Sequence, residues 1–89
     1  MRILLVEDEE SIRDVVRMNL EMEGYEVVTS GNGRLALDLI AQQHFDLLLL
    51  DVMLPEMDGF TIAEQVRLTN LEVPILMLTA KDQPQDRTT

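Results

Sequence analysis

The sequence predicts an α/β protein built on a parallel sheet. Three observations carry that expectation: short apolar runs recur along the chain, stretches of helical period separate them, and acidic or hydroxyl residues stand at the runs' carboxyl ends. The organising stretch is Phe45-Asp46-Leu47-Leu48-Leu49-Leu50-Asp51, continued by Val52-Met53-Leu54-Pro55-Glu56-Met57-Asp58-Gly59. An uninterrupted apolar run of this length reads as a strand buried on both faces, as in a sheet covered by helices. Ligands of open α/β sheets bind beyond the carboxyl ends of the strands, which is where Asp51 falls.

Taken in order, Ile3-Leu4-Leu5-Val6 is the first strand, with Glu7-Asp8-Glu9-Glu10 at its carboxyl end. A helix is expected from about Ser11 to Glu23, with Ile12, Val15, Val16, Asn19, Leu20 and Glu23 on one side and Met18 and Met22 beside them. Gly24 supplies its stop. Tyr25–Thr29, rich in β-formers, is the second strand. Ser30-Gly31-Asn32-Gly33 reads as a turn opening a helix over Arg34–Gln43, whose apolar face is Leu35, Ala36, Leu39 and Ile40. The third strand is Asp46–Leu50. A helix over Phe60–Thr69 follows, with Phe60, Ile62, Ala63 and Val66 grouped together. Pro74 opens the fourth strand, Ile75–Leu78, which runs out at Thr79-Ala80. Strands alternating with helices imply right-handed crossovers.

The totals exclude several classes. Eighty-nine residues allow at most one small domain. With 17 acidic against 7 basic residues, the net charge of −10 disfavours direct nucleic-acid binding. The absence of cysteine rules out disulfides and thiolate metal sites. No signal peptide is legible, and no apolar run approaches the ~20 residues of a membrane span, so a cytoplasmic protein with no membrane partner is expected.

Glu7, Asp8, Asp51 and Thr79 stand at the ends of three strands. Were those strands adjacent, Asp8, Asp51 and Thr79 would converge, because neighbouring strands lie only ~4.8 Å apart. Clustered carboxylates repel unless a cation neutralises them, and an all-oxygen set suits Mg²⁺ or Mn²⁺. A weak divalent-metal site around Asp51 is the expectation. Glu9 and Glu10 are read instead as acids favoured by the dipole of the helix they precede. Gly31-Asn32-Gly33 lacks the Lys-Ser/Thr of a phosphate loop and reads as a turn. His44, the single histidine, is expected at the surface, Lys81 is a basic loop residue, and the six methionines are gap fillers of the core.

With these residues in view, the chain resembles the receiver domain of bacterial two-component response regulators, especially those that bind DNA through a further domain. Glu7-Asp8, Asp51, Pro55, Gly59 and Thr79-Ala80 carry the resemblance, which runs from Arg2 to about Arg87. It implies a flavodoxin-like sheet of order 2-1-3-4 and a signalling module rather than an enzyme. It further implies that Asp51 is the phosphoacceptor, attacking a phosphohistidine of a partner sensor histidine kinase. Asp8 would bind Mg²⁺ directly, Glu7 mainly through water, and Met53 through its backbone carbonyl. Thr79 would contact a phosphoryl oxygen, with small Ala80 leaving room for it.

A receiver of that family has five strands and five helices, and this sequence ends where the fourth helix should begin. The fold expected is therefore incomplete, without the fifth strand, its lysine and its aromatic switch residue, and phosphoryl transfer is expected to be impaired. Val73-Pro74-Ile75-Leu76-Met77-Leu78-Thr79-Ala80 contains no charge. As an edge strand it would be a template for pairing, so a homo-oligomer, best a two-fold antiparallel dimer, is expected. The alternative function is a non-signalling assembly fragment that oligomerises through this edge.

Overall fold

The structure, a computed structural model, describes residues 1–69 and 72–78. Four strands, β1 (Arg2–Val6), β2 (Glu26–Ser30), β3 (Leu47–Asp51) and β4 (Ile75–Leu78), alternate with α1 (Glu10–Met22), α2 (Gly33–Gln42) and α3 (Gly59–Thr69). The sheet is parallel throughout, in the order β2-β1-β3-β4. This is the flavodoxin-like arrangement expected, and each predicted element lies within a residue of its observed bounds.

Alternation along the strands divides the core in two. Leu4, Val6, Leu48 and Leu50 point to one face and meet Ala36, Ile62 and Val66 from α2 and α3. Ile3, Leu5 and Leu49 point to the other, where Val16 and Leu20 of α1 pack over them. The register pairs Leu4 with Leu48, Leu5 with Leu49 and Val6 with Leu50, so each layer is continuous across the central strands.

Local chemistry ends the helices where the sequence indicates. Gly24 adopts φ +96, which a side chain resists, and Gly24 N donates to Glu21 O while Tyr25 N donates to Leu20 O. Those two bonds close α1 in a Schellman motif. Asn32 caps α2 by accepting Leu35 N at 2.8 Å, confirming the turn reading of Gly31-Asn32-Gly33. At the amino end of the sheet, Arg2 N donates to Asp46 Oδ2 and Asp46 N to Arg2 O, fastening β1 to the approach of β3.

Three predicted helix faces need correction. Val15 is exposed, and the α1 contact is the i, i+4 pair Val16 and Leu20, one residue around the helix. On α2, Leu37 packs with Ala36, Leu39 and Ile40, while Leu35 is 46% exposed. With about 100° per residue, Leu35 falls just outside the arc that Ala36 and Ile40 centre. Phe60 stands opposite Ile62 on α3 and is 60% exposed. Nor are all the methionines core residues: Met57 and Met77 pack against it, whereas Met1, Met18, Met22 and Met53 are exposed.

Candidate metal and phosphoacceptor site

The site is assembled at the carboxyl edge of the sheet by the β1–β3 pairing. Glu7 and Asp51 directly follow the paired residues Val6 and Leu50, so they leave the sheet side by side. Both are nearly closed off from solvent, Glu7 at 3% exposure and Asp51 at 1%, while Asp8 is exposed. Carboxylate oxygens of Glu7, Asp8 and Asp51 lie within 4.8 Å of one another. The sequence thus named the whole acidic cluster. His44 is exposed as expected and lies 3.2 Å from Asp46 at the opposite edge of the sheet.

Hydrogen bonds hold the Glu7 and Asp51 carboxylates. Glu7 N donates to Ser30 O, tying the end of β1 to β2, and Glu7 Oε2 accepts Glu9 N at 3.1 Å. Arg13, reaching back from α1, donates from Nη1 to Glu7 O at 2.9 Å. Asp51 Oδ1 accepts Met53 N at 3.1 Å, an aspartate turn that starts the β3–α3 loop. Val52 N donates to Leu78 O, and Gly59 N donates to Val52 O, so the loop is clipped at both ends. Asp58 then caps α3: its Oδ1 accepts Thr61 N at 2.8 Å and its carbonyl accepts Ile62 N. The Thr61 bonds, the backbone N–H first, hold the Asp58 carboxyl below its ordinary range.

Two loop features escaped the sequence reading. Glu56 has φ +67, a left-handed conformation that glutamate rarely adopts and that its sequence context does not announce. Asp58 as an N-cap was legible in principle, since an aspartate immediately before a helix is a strong start signal. Arg13 carried no signal beyond its place on α1. Thr79, Ala80 and Lys81 lie outside the described residues.

The donor set fits a small hard cation. Three carboxylates whose oxygens lie within 4.8 Å of one another need only a small inward shift to meet on one octahedral Mg²⁺, whose adjacent ligand oxygens are about 3 Å apart.

The family model of the response regulator receiver domain matches residues 3–89. The chain belongs to this family, the receiver domains of two-component response regulators. It is 48% identical over 86 residues to the alkaline phosphatase synthesis transcriptional regulatory protein PhoP of Bacillus subtilis (strain 168), covering 97% of this chain and 36% of PhoP. The crystal structure of the response regulator TrrA from Thermotoga maritima, in complex with Mg²⁺-BeF, superposes with TM-score 0.86 and 38% identity over 89% of this chain and 69% of that one. A structure of histidine kinase ThkA in complex with TrrA matches with TM-score 0.85 and 34% identity, over 98% of this chain and 75% of that one. The chain thus spans about a third of the curated relative's length. Among the described residues no helix is long and apolar enough to cross a membrane.

Proposed function

We propose that this chain is a phosphoacceptor switch module of the cytoplasm in which Asp51 takes a phosphoryl group from a sensor histidine kinase. The observation that carries this reading is the nearly buried Asp51 carboxylate with those of Glu7 and Asp8 gathered against it. The solved TrrA complexes, one with Mg²⁺-BeF and one with a kinase, support the same assignment for this chain.

Asp8 and Asp51 would hold Mg²⁺ together with the backbone carbonyl of Met53, and Glu7 would act through water. The bound cation supplies charge neutralisation for the phosphoryl oxygens. The chain's own residues do the positioning. Met53 N–H holds Asp51 Oδ1 and orients the carboxylate, and the buried surroundings keep competing water away. A carboxylate oxygen of Asp51 forms the new bond to phosphorus as the phosphorus–nitrogen bond to the kinase histidine breaks. The electron pair of that bond stays on the departing imidazole. Phosphoryl transfer asks little more of a protein than this alignment and charge compensation. Thr79, which follows β4 in sequence, would contact a phosphoryl oxygen. The product is a modified chain rather than a released substrate, which makes the protein a switch and not an enzyme.

Incubation with acetyl phosphate and Mg²⁺, followed by intact-mass measurement, tests the reading. Wild type should gain the mass of one phosphoryl group, and Asp51→Asn should gain none. Equal modification of both chains would refute the assignment.

A second reading, assembly through β4, is favoured by one observation. Among the described residues β4 pairs only with β3, and its Leu76 is 55% exposed. We propose that the 89-residue chain self-associates along this edge, most simply as a two-fold dimer. Light scattering decides it: a folded monomer at micromolar concentration is incompatible with such pairing.

A further inference from the structure

Arg13 is the one cation bonded directly to the acidic segment in the described residues, and it is bonded to a carbonyl rather than a carboxylate. Its Nη1 donates to Glu7 O at 2.9 Å, and no ion pair within 4.0 Å joins it to any acid among the described residues. Space for the guanidinium is left by Gly31, where a Cβ would lie 3.2 Å from that same nitrogen. Glu7 O belongs to the peptide that joins Glu7 to Asp8. A bond to that oxygen fixes the plane of the peptide, and with it the direction in which Asp8 leaves the end of β1.

We infer that Arg13 is a positioning residue for the cation site, holding the Glu7–Asp8 peptide in the orientation that keeps the Asp8 carboxylate turned toward Asp51. The inference rests on the metal site proposed above and assigns Arg13 no contact with the cation or the phosphoryl group. It is a bond one step behind the ligands, of the kind whose loss commonly lowers metal affinity by about tenfold or more.

Positioning and simple electrostatics predict opposite signs. Removing a positive charge near a cation site should, through charge alone, tighten Mg²⁺ binding. Losing the bond to Glu7 O should instead weaken it, because Asp8 no longer points at the site. Isothermal titration with MgCl₂ of the whole 89-residue chain separates the two, with the melting temperature of the metal-free chain recorded alongside. Arg13→Ala should raise the Mg²⁺ dissociation constant about tenfold. Arg13→Lys keeps a donor and a charge at nearly the same reach and should recover most of the affinity. A purely structural role would lower the melting temperature of Arg13→Ala and leave its Mg²⁺ affinity at the wild-type value, which would overturn the inference; so would tighter binding. Should Arg13→Ala fail to fold, Gly31→Val supplies the reading, because it retains the charge and crowds the guanidinium off Glu7 O. It too should weaken binding, and unchanged affinity there counts against the inference. Absence of Mg²⁺ binding in wild type would instead remove the metal site itself, and this inference with it.

Discussion

A methyl group on Gly59 would lie 2.7 Å from the carbonyl oxygen of Asp51 and 3.1 Å from Cα of Val52. The first residue of α3 therefore sits directly against the backbone at the end of β3. Both obstructing atoms are main chain, so neither can swing aside. Gly59→Ala should force the β3–α3 turn outward and destabilise the fold by roughly 1–3 kcal/mol, the usual cost of overpacking. Urea denaturation measures this, and modification by acetyl phosphate should fall in the same variant. Unaltered stability would show that the turn accommodates the methyl group.

Strain at Glu56 makes a prediction of unusual sign. Glycine normally weakens a chain relative to alanine, but at φ +67 the alanine Cβ is the liability. Glu56→Gly should be more stable than Glu56→Ala by about 1 kcal/mol. A comparison of denaturation midpoints decides the matter, and an alanine variant at least as stable as the glycine one would count against the left-handed conformation.

Asp58 links stability to acid. Its carboxyl titrates below the ordinary value of 3.8, chiefly because Thr61 N–H bonds the ionised form. A group depressed in the folded state contributes stability above its unfolded pKa and loses it as pH falls through the folded one. Asp58→Ala should therefore melt below wild type at pH 7, and the gap should close as the pH is taken below about 4. A gap independent of pH would mean that the carboxylate is not the cap.

Asp51→Asn isolates the repulsion within the acidic cluster. Without metal the variant should fold and melt no lower than wild type, since one charge has left a crowded, nearly buried group. Mg²⁺ should raise the melting temperature of wild type and leave the variant unmoved, as expected for a ligand of the folded state. An equal response in the two proteins would place the metal elsewhere.

The sequence showed the strands clearly, because Leu47-Leu48-Leu49-Leu50 and Ile3-Leu4-Leu5-Val6 are uninterrupted and end in acids. It also delivered Glu7, Asp8 and Asp51, since residues at strand ends converge once β1 and β3 are neighbours. That adjacency came from family resemblance and not from the residues, whose apolar runs are compatible with several strand orders. Helix faces were less legible. Val15 and Leu35 are apolar residues beside a buried arc and Phe60 one across the helix from Ile62, and composition alone does not say where an arc ends. The bond of Arg13 to Glu7 O, and the crowding by Asp51 O of the place a Gly59 side chain would take, were invisible, because both involve backbone atoms that carry no residue identity.

The two halves of the core differ in depth. Among the described residues, the α2–α3 side buries ten apolar residues around Leu4, Leu48 and Ile62, whereas the α1 side buries three, and no residue of α1 itself is fully enclosed. Amide protons of α1 should therefore exchange with deuterium through local openings of low free energy, while those of β1 and β3 wait for global unfolding. The carboxylates of Glu7 and Asp8 hang from the junction between these two regimes. A partner that grips α1 would be holding the part of the molecule that can lift away from the sheet without unravelling it.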